Sequence, residues 1–354
     1  MTNKLFTPIT LREVTVRNRI FVSPMCQYSA VDGVPNDWHL VHLGSRASGG
    51  AGLVIAEATS VAPEGRISPA DLGLWNDQQL SAFEKITTFI SSQGSIPGVQ
   101  LAHAGRKASM APPQDGGHLL KPGEGGWEVV APTATAFSDD YAMPHALTTT
   151  EIDKVVGQFT EATHRALKAG FKVVEIHMAH GYLLHQFLSP LSNQREDEYG
   201  GSLENRMKLP LRVASAVREA FPETLPVFVR ISATDWAEGG WDLKQSVVLC
   251  AALKEIGIDL IDCSSGGLVP YAKIPIGPSF QVQFAKAIRQ EVGIATGAVG
   301  MITKVHQADD ILQNGDADAI FLGREFLRDP YWPLHAAKEL DTEIQWPHQY
   351  LRAK

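Results

Sequence analysis

Cysteine is scarce in this sequence of 354 residues, which contains only Cys26, Cys250 and Cys263. None of them forms the close pair that is typical of a zinc or iron–sulfur site. A small, odd number of cysteines is typical of a protein from a reducing compartment and argues against a disulfide-stabilised secreted domain. We therefore expect a cytoplasmic protein.

Positive charge and long apolar runs are also lacking. The 31 Lys and Arg are outnumbered by 39 Asp and Glu, which gives a formal net charge of −8, whereas nucleic-acid binders usually carry a basic patch. No apolar run is long enough to cross a bilayer, and the first eleven residues lack the basic and apolar regions of a signal peptide. We expect no nucleic-acid or membrane partner, although backbone amides and a single Arg can still bind a phosphate.

What the chain does contain is an alternation of short apolar runs with longer amphipathic ones. Nearly continuous apolar runs are typical of parallel strands that are covered by helices. The eight strands predicted on this basis are Ile20–Pro24, Leu53–Glu57, Gly98–Leu101, Val173–His177, Val227–Ile231, Leu260–Cys263, Ile294–Val299 and Ala319–Leu322.

The amphipathic runs between these strands have apolar residues at helical spacing. The clearest is Glu151–Ala169, with Thr148 at a capping-box spacing before it and Gly170 as a stop after it. The other predicted helices are Trp38–Ala47, Asp77–Ser92, Leu203–Ala220, Leu243–Glu255, Gln281–Glu291, Val305–Gln313 and Glu325–Leu340.

Eight strands that alternate with eight helices favour a closed parallel (β/α)8 barrel, a TIM barrel. An open, doubly wound sheet is the alternative, but it normally carries a G-x-G-x-x-G fingerprint, and the first strand here ends in Ser23-Pro24-Met25-Cys26. One decorated barrel, residues 1–354, fits the length. The Gly- and Pro-rich connection 111–149 follows the third strand, where it either covers the C-terminal face of the barrel or forms a surface excursion.

Reactive residue types gather at the C-terminal ends of the predicted strands, where barrels carry their active sites. Gly300 follows the seventh strand and Gly323-Arg324 follows the eighth. Phosphate sites in barrels are often built from these two loops, since glycines let backbone amides approach and Arg binds phosphate oxygens. The alternative for Gly323-Arg324 is a turn with a surface cation.

The fourth strand runs into Glu175-Ile176-His177-Met178-Ala179-His180-Gly181-Tyr182. Neutral imidazoles are common metal ligands, and Glu175 and Asp262 could complete a metal site with His177 and His180, as in a metal-dependent barrel hydrolase or isomerase. Alternatively, the two imidazoles and the Tyr182 phenol could act as hydrogen-bond and proton donors. These residues alone leave both possibilities open.

The sequence resembles the Old Yellow Enzyme family of FMN-dependent ene-reductases over nearly its whole length. The most specific match is 189–206, SPLSNQREDEYGGSLENR, which is similar to the family pattern S-P-x-x-N-x-R-x-D-x-Y-G-G-S-x-x-N-R. Cys26 and Tyr28 resemble the thermophilic-like subgroup, which has Cys where other members have Thr. Val299 departs from some close relatives, which have Trp at that position.

The resemblance implies bound FMN, reduced by NADPH or NADH, and hydride transfer from flavin N5 to the β-carbon of an activated alkene. It implies that His177 and His180 donate hydrogen bonds to the substrate and that Tyr182 protonates its α-carbon. The cofactor-binding residues implied are Pro24, Met25, Cys26, Ala58, Gln100, His177, Arg230, Gly300, Gly323 and Arg324. The substrate-binding residues implied are Tyr28, Ile67, His177, His180, Tyr182 and Arg352.

Two of these assignments have alternatives. A free cysteine such as Cys26 is commonly a small buried thiol, whereas the resemblance places it beside the flavin. The ending Gln349-Tyr350-Leu351-Arg352 resembles a subgroup in which a C-terminal Arg enters the site of a neighbouring subunit. We therefore expect a homodimer or homotetramer. A flavin- or phosphate-binding scaffold without turnover is a further possibility.

Overall fold

The computed structural model describes residues 3–354. In chain order its strands are β1 (Ile9–Leu11), β2 (Val14–Val16), β3 (Ile20–Val22), β4 (Leu53–Ser60), β5 (Ile96–Ala102), β6 (Val130–Ala131), β7 (His145–Ala146), β8 (Val173–Met178), β9 (Val227–Ser232), β10 (Leu260–Ser264), β11 (Ala295–Ala298) and β12 (Ala319–Leu322). Its α-helices are α1 (Asp37–Ser48), α2 (Asp77–Ser92), α3 (Thr149–Lys168), α4 (Leu183–Leu188), α5 (Leu203–Ala220), α6 (Leu243–Ile256), α7 (Val282–Val292), α8 (Val305–Gln313), α9 (Arg324–Arg328) and α10 (Trp332–Glu339).

Eight of the strands form a closed parallel barrel in the order β3, β4, β5, β8, β9, β10, β11, β12. The barrel closes where β12 pairs with β3, with Phe321 opposite Phe21. Since at least one helix follows each barrel strand, the fold is the predicted (β/α)8 barrel. Within residues 3–354, no helix is long and apolar enough to cross a membrane.

All eight predicted strands are present, with ends that differ by at most three residues. The helices α2, α5 and α8 have the predicted bounds, and Thr148 caps α3 by accepting a hydrogen bond from the Glu151 backbone N–H. Gly170, which follows α3, has a φ of +89°, a conformation that favours glycine and ends a helix.

The single helix predicted over Glu325–Leu340 is wrong, because the segment forms α9 and α10 with a break between them. Pro330 causes the break, since a residue before proline is disfavoured in the helical region. Asp329 accordingly has an extended conformation, with φ −135° and ψ 94°.

The barrel interior is apolar at the N-terminal ends of its strands. Phe21, Leu53, Val173, Phe228 and Leu260 form a buried cluster there, which also includes apolar residues of the β1–β2 hairpin. Because side chains alternate across a strand, the residues two positions further along face the same interior. The polar residues Glu175, Arg230 and Asp262 stand at these positions above the apolar layer.

A β-bulge near the end of β4 changes which of its side chains face the barrel interior. Ala56 pairs with Val99 and Ala58 pairs with Gln100, so Glu57 is the extra residue. The Glu57 carboxylate lies 3.9 Å from His39 Nε2 on α1, outside the barrel. The bulge therefore brings Ala58, rather than Glu57, alongside Gln100.

Candidate active site

The residues that leave β8 form a compact aromatic cluster. The ring centroids of His177 and His180 lie 5.1 Å apart, and those of His177 and Tyr182 lie 5.0 Å apart, in edge-to-face arrangements. His177 is buried, whereas His180 and Tyr182 are half-buried. The structure thus brings together the three residues that were predicted to be catalytic.

Hydrogen bonding fixes the tautomer of His177. Its Nδ1 accepts a hydrogen bond from the Ala179 backbone N–H at 3.2 Å, so the ring proton of the neutral imidazole is on Nε2. Burial, followed by the charge of Arg230, lowers the pKa of His177 well below its ordinary value. His177 is therefore a neutral hydrogen-bond donor at physiological pH.

His180 is held in an unusual backbone conformation. Its φ is +58°, in the left-handed region that non-glycine residues rarely adopt, and its backbone N–H donates to Ser232 Oγ at 2.9 Å. Its Nε2 lies 2.7 Å from Ser264 Oγ. Burial, followed by the charge of Arg230, lowers the pKa of His180 as well. Strain of this kind is concentrated at functional sites.

The phenol of Tyr182 lies among groups that disfavour its ionisation. Burial raises the pKa of Tyr182 well above its ordinary value, and Cys26, Tyr28 and Asp71 raise this pKa further. Tyr182 also lines a small cavity together with Ala58, Ile67, Asp71 and other residues. The phenol therefore keeps its proton and can donate it.

A polar layer lies in the barrel beneath this cluster. Gln100 Nε2 donates to Glu175 Oε1 at 2.8 Å, and Arg230 Nε lies 3.0 Å from Asp262 Oδ2. Burial and the neighbouring Asp262 raise the pKa of Glu175 to about 8, and burial raises the pKa of Asp262 to about 6. Arg230 is buried, and its terminal nitrogens make no hydrogen bond within residues 3–354, so they can bind a ligand.

The metal-site alternative is not supported by this arrangement. Glu175 is bonded to Gln100, Asp262 is paired with Arg230, and His180 Nε2 is engaged by Ser264. In the described part of the chain, no three His, Cys, Asp or Glu side chains are arranged to hold a metal.

The loops after β11 and β12 enclose a cavity of about 160 Å³. Gly300, Met301, Gly323 and Arg324 are among the residues that line it, and Arg324 is exposed. Gly300 has a φ of +110°, a conformation that glycine tolerates and other residues rarely adopt. Arg324 Nη2 donates only to the weak acceptor Met301 Sδ, at 3.4 Å, within the described residues. Glycine backbone and an exposed guanidinium suit a phosphate, so this cavity fits the FMN phosphate and the polar layer fits the ring.

The residues that leave β3 are half-buried at the mouth of the barrel: Pro24, Met25, Cys26 and Tyr28. Tyr28 has a positive φ of 49°. Burial, followed by Asp71 and Glu57, raises the pKa of the Cys26 thiol well above its ordinary value. Cys26 is therefore a neutral thiol rather than a nucleophilic thiolate.

The C-terminal Arg352 is not brought to these residues within one chain. It is exposed on the short 3₁₀ helix His348–Ala353. That helix contacts the segment before α10, since Tyr350 Oη lies 3.2 Å from Tyr331 Oη. Within residues 3–354, no hydrogen bond or ion pair joins Arg352 to the cluster after β8.

Sequence reasoning missed several residues that contact the predicted cluster, Ser232 among them. Ser264, at the end of β10, orients His180, and Lys107, after β5, donates to the His180 carbonyl at 2.9 Å. None of these residues belongs to a motif of the segment that holds His180, so sequence spacing carried no signal for these contacts.

The chain is similar in sequence and in fold to known flavin oxidoreductases. Residues 4–343 match the NADH:flavin oxidoreductase / NADH oxidase family. The chain is 48% identical to the NADPH dehydrogenase of Bacillus subtilis over 354 residues, which cover 99% of each chain. It superposes on morphinone reductase in complex with tetrahydroNAD with a TM-score of 0.78 and 29% identity, covering 97% of this chain and 92% of that one. For the Old Yellow Enzyme homologue of Zymomonas mobilis, the TM-score is 0.79 and the identity 28%, with 97% and 94% covered.

Proposed function

We propose that this chain, which belongs to the Old Yellow Enzyme family of FMN-dependent NAD(P)H oxidoreductases, is an ene-reductase for activated carbon–carbon double bonds. The observation that carries the proposal is the cluster after β8. It combines two neutral imidazoles with a protonated phenol, and the three rings are in contact. Hydrogen-bond donors and a proton donor are what reduction of a conjugated alkene requires.

The chemistry that FMN would supply when bound is hydride transfer, with NADPH or NADH as the reductant and the β-carbon of an α,β-unsaturated carbonyl or nitro compound as the acceptor. His177 and His180 would donate hydrogen bonds to the oxygen on which negative charge develops, which stabilises the transition state. Tyr182 would protonate the α-carbon as general acid. Because both imidazoles are neutral, they act as donors without competing with Tyr182 for the proton transfer.

The chain's own residues would hold the cofactor at two places. Gln100 and Arg230 would bind the pyrimidine edge of the flavin ring, where the fixed charge of Arg230 favours the reduced, anionic ring. Gly300, Gly323 and Arg324 would bind the phosphate. The remaining cofactor contacts proposed are those of Pro24, Met25, Cys26, Ala58 and His177.

Tyr28 and Ile67 would line the substrate pocket beside the catalytic cluster. The connection 111–149 contacts this region: Gln114 Nε2 donates to the Tyr28 carbonyl at 3.2 Å, and the Trp127 indole N–H donates to the Glu64 carbonyl at 2.9 Å. We propose that this connection covers the site within a single barrel domain, residues 1–354.

Arg352 would complete the site of a neighbouring copy in a homodimer or homotetramer. Dilution below the dissociation constant of the assembly should then lower specific activity, as should Arg352→Ala. A fully active protein that sedimentation analysis shows to be a monomer would contradict this assembly. A cytoplasmic location stays a prediction.

The Tyr182→Phe variant tests the proposed reaction, because it removes the acid but keeps the ring. Stopped-flow measurement should show flavin reduction by NADPH at the normal rate and reoxidation by cyclohexenone slowed by about 100-fold or more. Tyr28→Phe is the matched control, since it removes a neighbouring phenol that is not assigned proton transfer. Normal reoxidation of the Tyr182→Phe enzyme would remove Tyr182 as the acid.

A further inference from the structure

Lys107 lies at the centre of contacts that join three separate segments. Its ammonium nitrogen donates to the carbonyl oxygens of His180 at 2.9 Å and Gly267 at 3.0 Å. The same nitrogen lies 5.2 Å from the ring centroid of Tyr182 and 4.7 Å from that of Phe137, which belongs to the connection 111–149. Lys107 thus contacts Tyr182, the turn that carries Tyr182, and the connection 111–149.

The two carbonyls that Lys107 binds come from turns in very close contact. Gly181 and Gly267 both have positive φ, and a Cβ on Gly181 would lie 2.2 Å from the Gly267 oxygen. His180 also has a positive φ. Converging carbonyl dipoles repel each other, and a cation between them offsets this repulsion. The Lys107 ammonium therefore stabilises the close approach of these two turns.

We infer that Lys107 is a positioning residue for proton donation by Tyr182: its ammonium group holds the turn that carries Tyr182 and offsets negative charge on the phenol as the proton leaves. The inference rests on the proposed function. In the step concerned, the Tyr182 O–H bond breaks and a C–H bond forms at the α-carbon of the substrate. The electron pair stays on the phenolate oxygen, which then takes a proton from water.

The charged and titratable surroundings show why such a cation is needed. Burial is the largest cause that raises the pKa of Tyr182, so it opposes the phenolate most strongly. Negative charge on Asp71, and on Cys26, Tyr28 or Tyr141 whenever they ionise, raises this pKa further. The Lys107 ammonium lies 5.2 Å from the Tyr182 ring centroid, so it attracts negative charge on the phenolate, and this Coulombic attraction is stronger where water is excluded.

Lys107 itself remains charged at neutral pH. Burial, followed by Arg106, lowers the pKa of Lys107 to about 8. The imidazoles of His177 and His180, which face it from the β8 end, have lowered pKa values and are neutral. The ammonium group is therefore positive when Tyr182 donates its proton.

A double-mutant cycle on the FMN-loaded enzyme tests the inference. Lys107→Gln removes the charge but keeps a hydrogen-bond donor, Lys107→Arg keeps the charge, and each is combined with Tyr182→Phe. Lys172→Gln, at an exposed lysine, is the matched control. The two half-reactions, with NADPH and with cyclohexenone, are measured separately by stopped flow.

We expect Lys107→Gln to slow reoxidation by cyclohexenone about 10- to 100-fold, a part of what a general acid contributes. Lys107→Arg should stay within about threefold of the unmodified enzyme, and all variants should keep the normal rate of flavin reduction. In the Tyr182→Phe background, Lys107→Gln should cause no further loss, because the group through which it acts is absent.

An equal loss in both backgrounds, or a normal rate for Lys107→Gln, would overturn the inference. If Lys107→Gln does not retain FMN, Lys107→Met takes its place in the cycle. Loss of FMN from both neutral variants but not from Lys107→Arg would also overturn the inference, since the charge of Lys107 would then be required for FMN binding rather than for proton donation by Tyr182. A normal rate for Tyr182→Phe alone would instead contradict the proposed function.

Discussion

His180 Nε2 lies 2.7 Å from Ser264 Oγ, so a hydroxyl at the end of β10 orients an imidazole that follows β8. The hydroxyl can accept from the ring or donate to it, and this choice decides which ring nitrogen carries the proton. Ser264 is buried, which makes the hydrogen bond stronger than it would be in water. The donor properties of His180 thus depend on a neighbouring strand.

Removal of the Ser264 hydroxyl should weaken binding of the substrate oxygen. A hydrogen bond of this kind contributes about 1 kcal/mol, so we expect Ser264→Ala to lower kcat/KM for cyclohexenone about 3- to 10-fold. Ser264→Thr, which keeps the hydroxyl, should lose less. Steady-state kinetics with both variants checks this, and equal losses would show that the hydroxyl is not the relevant group.

Arg324 should contribute to FMN binding through its charge. Its side chain is exposed beside the glycine-lined cavity, whereas Arg328 in the same wall is paired with Glu325 at 2.6 Å. Charge-assisted hydrogen bonds contribute about 1.5–3 kcal/mol, so Arg324→Ala should raise the Kd for FMN about 10- to 100-fold. Fluorescence titration of the apoprotein measures this Kd. Arg328→Ala should change it less than threefold, and a larger effect there would assign the phosphate to Arg328.

The barrel strands could be predicted because nearly all of their residues are buried and most of the strands appear as nearly continuous apolar runs. The β1–β2 hairpin could not be predicted, since each of its strands has only three residues and a central Thr interrupts the apolar run. The helix α4 was missed for a different reason: every residue of Leu183–Leu188 is buried, so the segment has no polar face.

The site was predictable where its residues share one segment. His177, His180 and Tyr182 lie within six residues at a strand end, and the structure brings them together. Lys107 and Ser264 reach the cluster from β5 and β10, and their contacts depend on how the barrel closes. Contacts of this kind arise from tertiary packing and leave no local pattern in the sequence.

Glu175 should make stability decrease as pH rises. The pKa of Glu175 in the folded protein is about 8, which exceeds the ordinary value of 4.5. The contribution of Glu175 to the free energy of unfolding is therefore fully present below pH 4.5 and is lost as pH rises through 8. The Glu175→Gln side chain can still accept the hydrogen bond from Gln100 but does not titrate. Between pH 6 and 9, the unfolding free energy of this variant should therefore rise by about 2 kcal/mol relative to that of the unmodified protein. Chemical unfolding at both pH values measures the difference. A pH-independent difference would show that Glu175 does not titrate there.

His42 should have the opposite effect. Burial, followed by Arg46 and His39, lowers the pKa of His42 to about 3. The contribution of the neutral His42 to the free energy of unfolding is therefore fully present above pH 6.5, the ordinary pKa, and is lost as pH falls towards 3. Relative to His42→Gln, the unmodified protein should lose about 2 kcal/mol of unfolding free energy between pH 7 and 5. His306→Gln, at an exposed histidine, is the control and should show a much smaller change. Parallel loss in all three proteins would exclude His42 as the cause.

The central claim is most directly tested by one visible absorption experiment on the purified protein under anaerobic conditions. We expect the protein to show a flavin spectrum that bleaches when NADPH is added and returns when cyclohexenone follows. A spectrum that bleaches but does not return with cyclohexenone, maleimides or nitroalkenes would contradict the ene-reductase proposal, and a protein that remains colourless after incubation with FMN would contradict the cofactor site itself.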